Sequence, residues 1–363
     1  MSGLVIQSGT CHPLFCFEVG YAIDLDAAER ASSGAERPPL PHRERPAGPF
    51  EFRPAPLRVS EPLGETRIAP FALGPTVDLV LYDFGAASVS YTIPLGAGPA
   101  ELIELSVALR GHAGLLADAR RRIARRVEAL GAAIQRPAIA ERVEDYFIFQ
   151  LREIQGRPDA SALCVGNAEL LARVLRAETA SRSEEEIADA IEARLSFGRG
   201  DVTLVDWDSA IIIDREPDEL RAVLEFANVQ LLELRYLDDQ LDRTLERSYQ
   251  LLSRRIGWRI IRPSILADDL RQVSTLQIDS AVLLERVTNA LKFLSEEYLA
   301  RLYRLAAERL HLSDWGGTIS RKLATVETIY QAMSDRASTR RMELLEWVVI
   351  ILIATEIVLA VRG

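Results

Sequence analysis

Five arginines fall within seven positions of ARRRIARRVEAL: Arg120, Arg121, Arg122, Arg125 and Arg126. On a helix they form a basic band with three readings. It meets anionic lipid headgroups at about 1 kcal/mol per side chain, it meets RNA phosphates, or it is a solvated face balanced by nearby acids. Glu308 and His311 make one Glu-x-x-His pair. A four-helix di-metal centre needs two such pairs and two more carboxylates. The chain has only His12, His42, His112 and His311, and no second pair, so the motif reads as a surface pairing. Asp83–Phe84–Gly85 repeats a triplet of protein kinases, but no glycine-rich phosphate loop precedes it and no catalytic-loop motif follows, so it reads as a turn. Gly96–Ala97–Gly98 does not extend to a dinucleotide fingerprint, and no His-Glu-x-x-His, Walker loop or Gly-x-Ser-x-Gly occurs. No catalytic, metal or cofactor-binding residue is therefore assigned, and no cofactor is expected.

The elements that carry these residues divide the chain by texture. Residues 1–30 hold an opening strand, His12 to Leu25 with its exit. Residues 31–64 hold eight prolines and three glycines, which remove donors and fix φ; they read as a disordered insertion. Residues 65–215 mix strands (two around Asp83–Phe84–Gly85, then 145–154 and 201–214) with helices at 102–130, 167–178 and 184–195, which predicts an α+β domain.

From 216 to 345 the expectation is a long α-helical hairpin or coiled-coil region. Positions 220, 224, 227, 231, 234, 238, 241, 245, 248 and 252 advance by alternating fours and threes, and eight of the ten are apolar. Asp238 is a polar exception beside Asp239 and Asp242; it fixes register or partner, or helps hold a cation. A second helix is expected from 280 to 312, then a turn at Trp315–Gly316–Gly317. A third follows, with Ile319, Leu323, Val326, Tyr330, Met333 and Ala337 on one face.

The last stretch, 346–363, reads as a C-terminal transmembrane helix built from Trp347, Val348, Val349, Ile350, Ile351, Leu352, Ile353, Glu356, Ile357, Val358 and Leu359. Residues 344–361 reach about 27 Å at ~1.5 Å per residue, against a hydrocarbon core of ~30 Å. Its aliphatic side chains favour insertion by about 5 kcal/mol and Glu356 opposes it by at most about 3 kcal/mol. Glu356 is protonated, bonded to a partner helix, or turned toward the far surface. The competing reading is a helix buried in a protein core or oligomer interface.

Composition bounds the partners. Charged residues are 26% and the net charge is −10, which does not favour a broad nucleic-acid surface. Of the 43 basic residues 41 are arginine, a bias that reflects genome base composition. Three cysteines without ligand spacing (Cys11, Cys16, Cys164) fit a reducing compartment, and residues 1–10 lack the features of a secretory signal.

NALKFLSEEYLARLYRLAAERLHLSDW (289–315), RKLATVETIYQAM (321–333) and RRMELLEWVVIILIATEIVLA (340–360) resemble the C-terminal signature of the required-for-meiotic-nuclear-division family. FGAASVSY (84–91) and CFEVGYAIDL (16–25) resemble its N-terminal strands more loosely. The resemblance implies a mixed N-terminal domain, C-terminal helices and a closing membrane segment, with a bacterial member expected here. It carries over no catalytic residue; Glu346, Trp347 and Glu356 match as signature positions only. The function expected is that of a non-enzymatic scaffold or tether: a single-pass membrane protein with its bulk in the cytoplasm, self-associating and raising a partner's effective concentration near the bilayer. Two alternatives stay open: an enzyme with an unrecognised site in the N-terminal domain, and a soluble adaptor whose apolar tail docks in a partner.

Overall fold

A computed structural model describes residues 4–32, 35–36, 54–64, 67–68, 71–96, 98–156, 159–253, 278, 281–282 and 297–362. Its strands are β1 (Ile6–Glu18), β2 (Ala22–Ile23), β3 (Ala35–Glu36), β4 (Leu57–Pro62), β5 (Arg67–Ile68), β6 (Phe71–Ala72), β7 (Thr76–Leu81), β8 (Ala86–Ser90), β9 (Ile93–Pro94), β10 (Ile134–Gln135), β11 (Val143–Ile154), β12 (Arg194–Leu195), β13 (Val202–Val205) and β14 (Ser209–Ile213). The helices are α1 (Leu25–Ala31), α2 (Pro99–Leu109), α3 (Ala113–Leu130), α4 (Ala160–Gly166), α5 (Ala168–Arg176), α6 (Glu184–Ala190), α7 (Asp218–Ser253), α8 (Glu297–Arg309) and α9 (Leu312–Arg362). The chain divides into two units, residues 1–236 with 286–314, and residues 237–285 with 315–363.

The first unit is a mixed α+β body around a ten-stranded sheet in the order β12-β13-β14-β11-β1-β8-β7-β4-β3, with β9 also paired to β1. β11 and β14 run parallel; the other neighbours are antiparallel. Strand alternation sorts the side chains. Cys11, Phe15 and Phe17 of β1, Leu79 and Leu81 of β7, Val89 of β8 and Phe147, Phe149 and Leu151 of β11 enter one apolar core. Leu102, Leu105 and Leu109 of α2, Leu115 and Ile123 of α3, and Leu171 and Val174 of α5 close that core. The alternate residues, among them His12, Cys16, Glu18, Ser88 and Gln150, are buried as well. They lie on the opposite face, beneath α7. A strand covered on both faces loses the polar/apolar alternation, which is why LFCF reads as a continuous apolar run.

The Asp83–Phe84–Gly85 triplet is the β7–β8 turn. Gly85 has φ +104°, and a Cβ there would stand 1.9 Å from the Gly20 carbonyl oxygen, so only glycine fits. Other boundaries differ from expectation. The insertion ends before residue 57, because Leu57–Pro62 pairs with β7 throughout its length; the disorder expected for residues 33–34 and 37–53 lies outside the described residues. The expected 102–130 helix is two, broken at Arg110–Gly111–His112, where Gly111 has φ +69°. The turn placed at Trp315–Gly316–Gly317 is instead at Leu310–His311, where His311 takes φ +54°; both glycines continue α9. Residues 280 and 283–296 of the expected second helix lie outside the described residues.

In the second unit Leu237 and Leu241 of α7 and Ile319, Val326 and Ile329 of α9 are buried. Beyond them α9 continues to Arg362, and Met342, Trp347 to Ile353, Ile357 and Leu359 are exposed. Among the described residues no helix is long and apolar enough to cross a membrane, so the C-terminal transmembrane segment and single-pass location expected above are corrected. Glu356 interrupts the apolar end of α9. The uncharged run from Trp347 to Thr355 rises only about 13 Å at ~1.5 Å per residue, less than half the hydrocarbon thickness.

Candidate functional site

The polar layer between the sheet and the first half of α7 holds the densest buried chemistry among the described residues. From Val223 to Leu234 every residue of α7 is buried, including Glu225, Asn228, Gln230 and Glu233. Glu225 accepts a hydrogen bond from Ser88 of β8. Arg235 reaches Glu144 of β11 at 2.6 Å, and Arg152 of β11 reaches Asp218 at 3.2 Å. Tyr303 of α8 donates to Gln230, so the helix is gripped on a second side.

Near the start of α7 the layer becomes rich in donors. β1 and β11 pair so that Thr10 stands opposite Gln150 and His12 opposite Ile148. His12 Nε2 donates to Gln150 Oε1 at 3.1 Å, and the Thr10 hydroxyl donates to the same oxygen at 3.2 Å. The Thr92 hydroxyl lies 3.5 Å from His12 Nδ1. Burial, then the charge of Arg221, then that of Arg152, push His12 down to about 3 against the opposing bond from Gln150, so the ring is neutral at physiological pH. With its oxygen engaged, the Gln150 amide nitrogen has no acceptor; neither do the Nε atoms of Arg152 and Arg221. Arg58 pairs with Asp78 at 3.3 Å, whereas Arg221 makes no ion pair or hydrogen bond among the described residues. Burial and the charge of Arg58 hold Arg221 below its usual value.

Towards the other end of the layer Glu18 of β1 meets Glu233 of α7. Apart from one another, Glu18 Oε2 and both Glu233 oxygens have no hydrogen-bond partner among the described residues. Burial, then the neighbouring Glu233 charge, push Glu18 well up; burial pushes Glu233 up to about 7, opposed by a bond from Glu18. Two carboxyls so placed titrate together, and burial favours the protonated form of both.

The residues singled out from sequence lie elsewhere. Arg122 is buried and bonded to Asp118 at 2.7 Å and Glu61 at 3.2 Å, and Arg126 pairs with Glu61 and Ser32. Arg120 donates to the Ala140 and Glu141 carbonyls, and Arg121 pairs with Asp118 at 3.2 Å. Arg125 alone of the five is exposed without a partner among the described residues. Asp238 and Asp242 each pair with Lys322 of α9 at 2.6 Å, so the cation beside this seam position is an ammonium. The His311 ring bonds Asp314 at 3.1 Å and lies tilted against Trp207; Glu308 meets it only through its backbone carbonyl, which accepts from the His311 N–H at 3.1 Å. Trp347 to Ile353, Ile357 and Leu359 are exposed. Among the described residues no cluster of three His, Cys, Asp or Glu could hold a metal. All three cysteines are free and buried.

Comparison with known proteins places the chain. A family model described as "Uncharacterized protein MJ0711, N-terminal domain" matches residues 8–219, more than half of the sequence. The chain belongs to this family. The MJ0711 N-terminal domain therefore covers the sheet from the third residue of β1 onward and His12, Gln150 and Arg152, and it stops in the first turn of α7, two residues before Arg221. The uncharacterised protein MJ0711 of Methanocaldococcus jannaschii is 23% identical over 220 residues, covering 60% of this chain and 66% of that relative. The chain thus spans just under two thirds of the relative's length. No solved structure matches. These findings overturn the likeness to the required-for-meiotic-nuclear-division family: the family that matches is another one, and the relative is archaeal where a bacterial member was expected.

Proposed function

We propose that the chain is a non-enzymatic scaffold that self-associates through the end of α9 and thereby presents several copies of its MJ0711-type domain. The observation that carries this reading is the exposure of that end. Each of Trp347 to Ile353 is more than half exposed, and Ile357 and Leu359 match them, so the helix is apolar on every side. Such a helix in water is covered by something. Identical helices satisfy one another, because each brings the same aliphatic surface around its full circumference. The heptad rhythm of α7 and α9 supports the same reading, since it is the spacing at which helices pack in register.

The test is sedimentation of the full chain against a chain ending at residue 345. The full chain sediments as a dimer or larger species and the shortened one as a monomer. A monomeric full chain at micromolar concentration overturns the proposal; an oligomer that survives the truncation moves the interface to another surface.

A further inference from the structure

We propose that the donor-rich niche between His12, Gln150, Arg152 and Arg221 binds a small oxyanion, either free phosphate or the phosphate group of a metabolite. The niche is independent of the α9 surface. Three nitrogen donors of this layer have no acceptor among the described residues: the Gln150 amide, of a residue 0% exposed, and the Nε atoms of Arg152 and Arg221. Gln150 and Arg152 stand two apart on β11, and the charges of Arg152 and Arg221 both act on His12. Buried donors in folded proteins are nearly always satisfied, so three orphans in one place point to an acceptor that protein groups do not provide. The neighbouring acids do not fill that role. Asp78 is held by Arg58 at 3.3 Å, Asp218 by Arg152 at 3.2 Å, and Glu225 takes the Ser88 hydroxyl. Arg221 feels the charges of Glu225, Asp218 and Asp78, but makes no ion pair with any of them among the described residues.

The sheet fixes the rest. Gln150 is oriented by two bonds to its oxygen, from His12 and Thr10, which turns its NH2 group away from both. His12 serves as a neutral spacer and Thr92 bonds its other nitrogen. A guanidinium and an amide present several N–H groups from fixed planes, which suits the several acceptors of an oxyanion. A neutral ligand would leave Arg221 unpaired, and a cation would be repelled by Arg152 and Arg221.

The full chain is titrated with inorganic phosphate and with glycerol 3-phosphate at constant ionic strength, by calorimetry and thermal melting, with chloride as the control. Saturable binding of either probe supports the site; preference for the ester identifies a metabolite, preference for phosphate the free ion. Arg221→Gln weakens binding by about tenfold or more, the loss expected for a charged hydrogen bond. Arg121→Gln, on an exposed side chain outside the niche, binds as the parent does. Gln150→Leu, whose fold is checked by circular dichroism, gives a second reading if Arg221→Gln does not fold. Binding that is absent in the parent, or unchanged in the folded variants, overturns the proposal.

Discussion

His12 and Glu233 are buried in one polar layer, yet they pull stability in opposite directions with pH. The folded-state value of His12 is pushed down to about 3, below its unfolded value of about 6.5. Between those values the unfolded chain takes a proton that the folded chain refuses. The contribution is therefore present above about pH 6.5 and is lost on acidification, by about 1.4 kcal/mol for each unit of pH in that window. Glu233 is pushed the other way, up to about 7. Its contribution is present below the unfolded value of about 4.3 and is lost as pH rises through 7. Denaturant titrations of His12→Gln should show a flatter acid limb than the parent between pH 6 and pH 4. Glu233→Gln keeps the shape without the charge; at pH 8 it should be more stable than the parent by about 3–4 kcal/mol, and at pH 4 the difference should vanish. A Glu233→Gln chain no more stable at pH 8 would mean that this carboxyl is not held protonated by its surroundings. None of this was legible in the sequence. His12 is one histidine in an apolar strand, and its partners lie 138 residues away on β11 and over 200 away on α7. Only the β1–β11 register brings Thr10 and Gln150 opposite each other. The arginine band was the louder signal, but it faces Asp118 and Glu61 of its own unit.

At the scale of elements the periodicities were readable and the layers were not. The strands around Asp83–Phe84–Gly85, the strand at 145–154 and the hairpin at 201–214 all form near their expected bounds. α7 forms too, but its first half is covered on two sides, where a heptad seam predicts one. The signal was present in VLEFANVQLLEL, whose apolar residues are not confined to one stripe; a fully surrounded helix reads this way. α8 is tied to the sheet by Arg309, which bonds Asp206 at 2.7 Å and Asp189 at 2.9 Å and lies over the Trp207 ring. Asp206, wholly buried at the end of β13, also pairs with Arg176 of α5 at 2.5 Å. Asp206→Ala would leave two guanidiniums with only the half-exposed Asp189 as a shared carboxylate. It should cost about 3 kcal/mol in denaturant unfolding, as removal of one partner from a buried ionic cluster does. A loss below about 1 kcal/mol would show the cluster to behave like a surface pair.

For the molecule as a whole, self-association and oxyanion binding should respond oppositely to salt. The chain carries a net charge of −10, so bringing copies together works against mutual repulsion, which added salt screens within a Debye length of about 10 Å at 0.1 M. Contact between apolar helix ends is itself strengthened by excluded salts. The oligomer should therefore tighten as sodium sulfate replaces sodium chloride, while sulfate, itself an oxyanion, competes with phosphate at the niche and weakens its apparent binding. Interface residues can be separated from niche residues on the same axis. Ile350→Asp with Ile353→Asp places two charges in the apolar end of α9, where each buried aliphatic side chain is worth about 1.5–3 kcal/mol. The doubly substituted chain should be monomeric and should melt at a temperature independent of protein concentration, whereas an associating parent melts higher as concentration rises. Its phosphate affinity should equal the parent's. If the double variant keeps the parent's oligomer, α9 does not join the copies. A loss of phosphate binding along with the oligomer would mean that the niche is complete only in the assembled form.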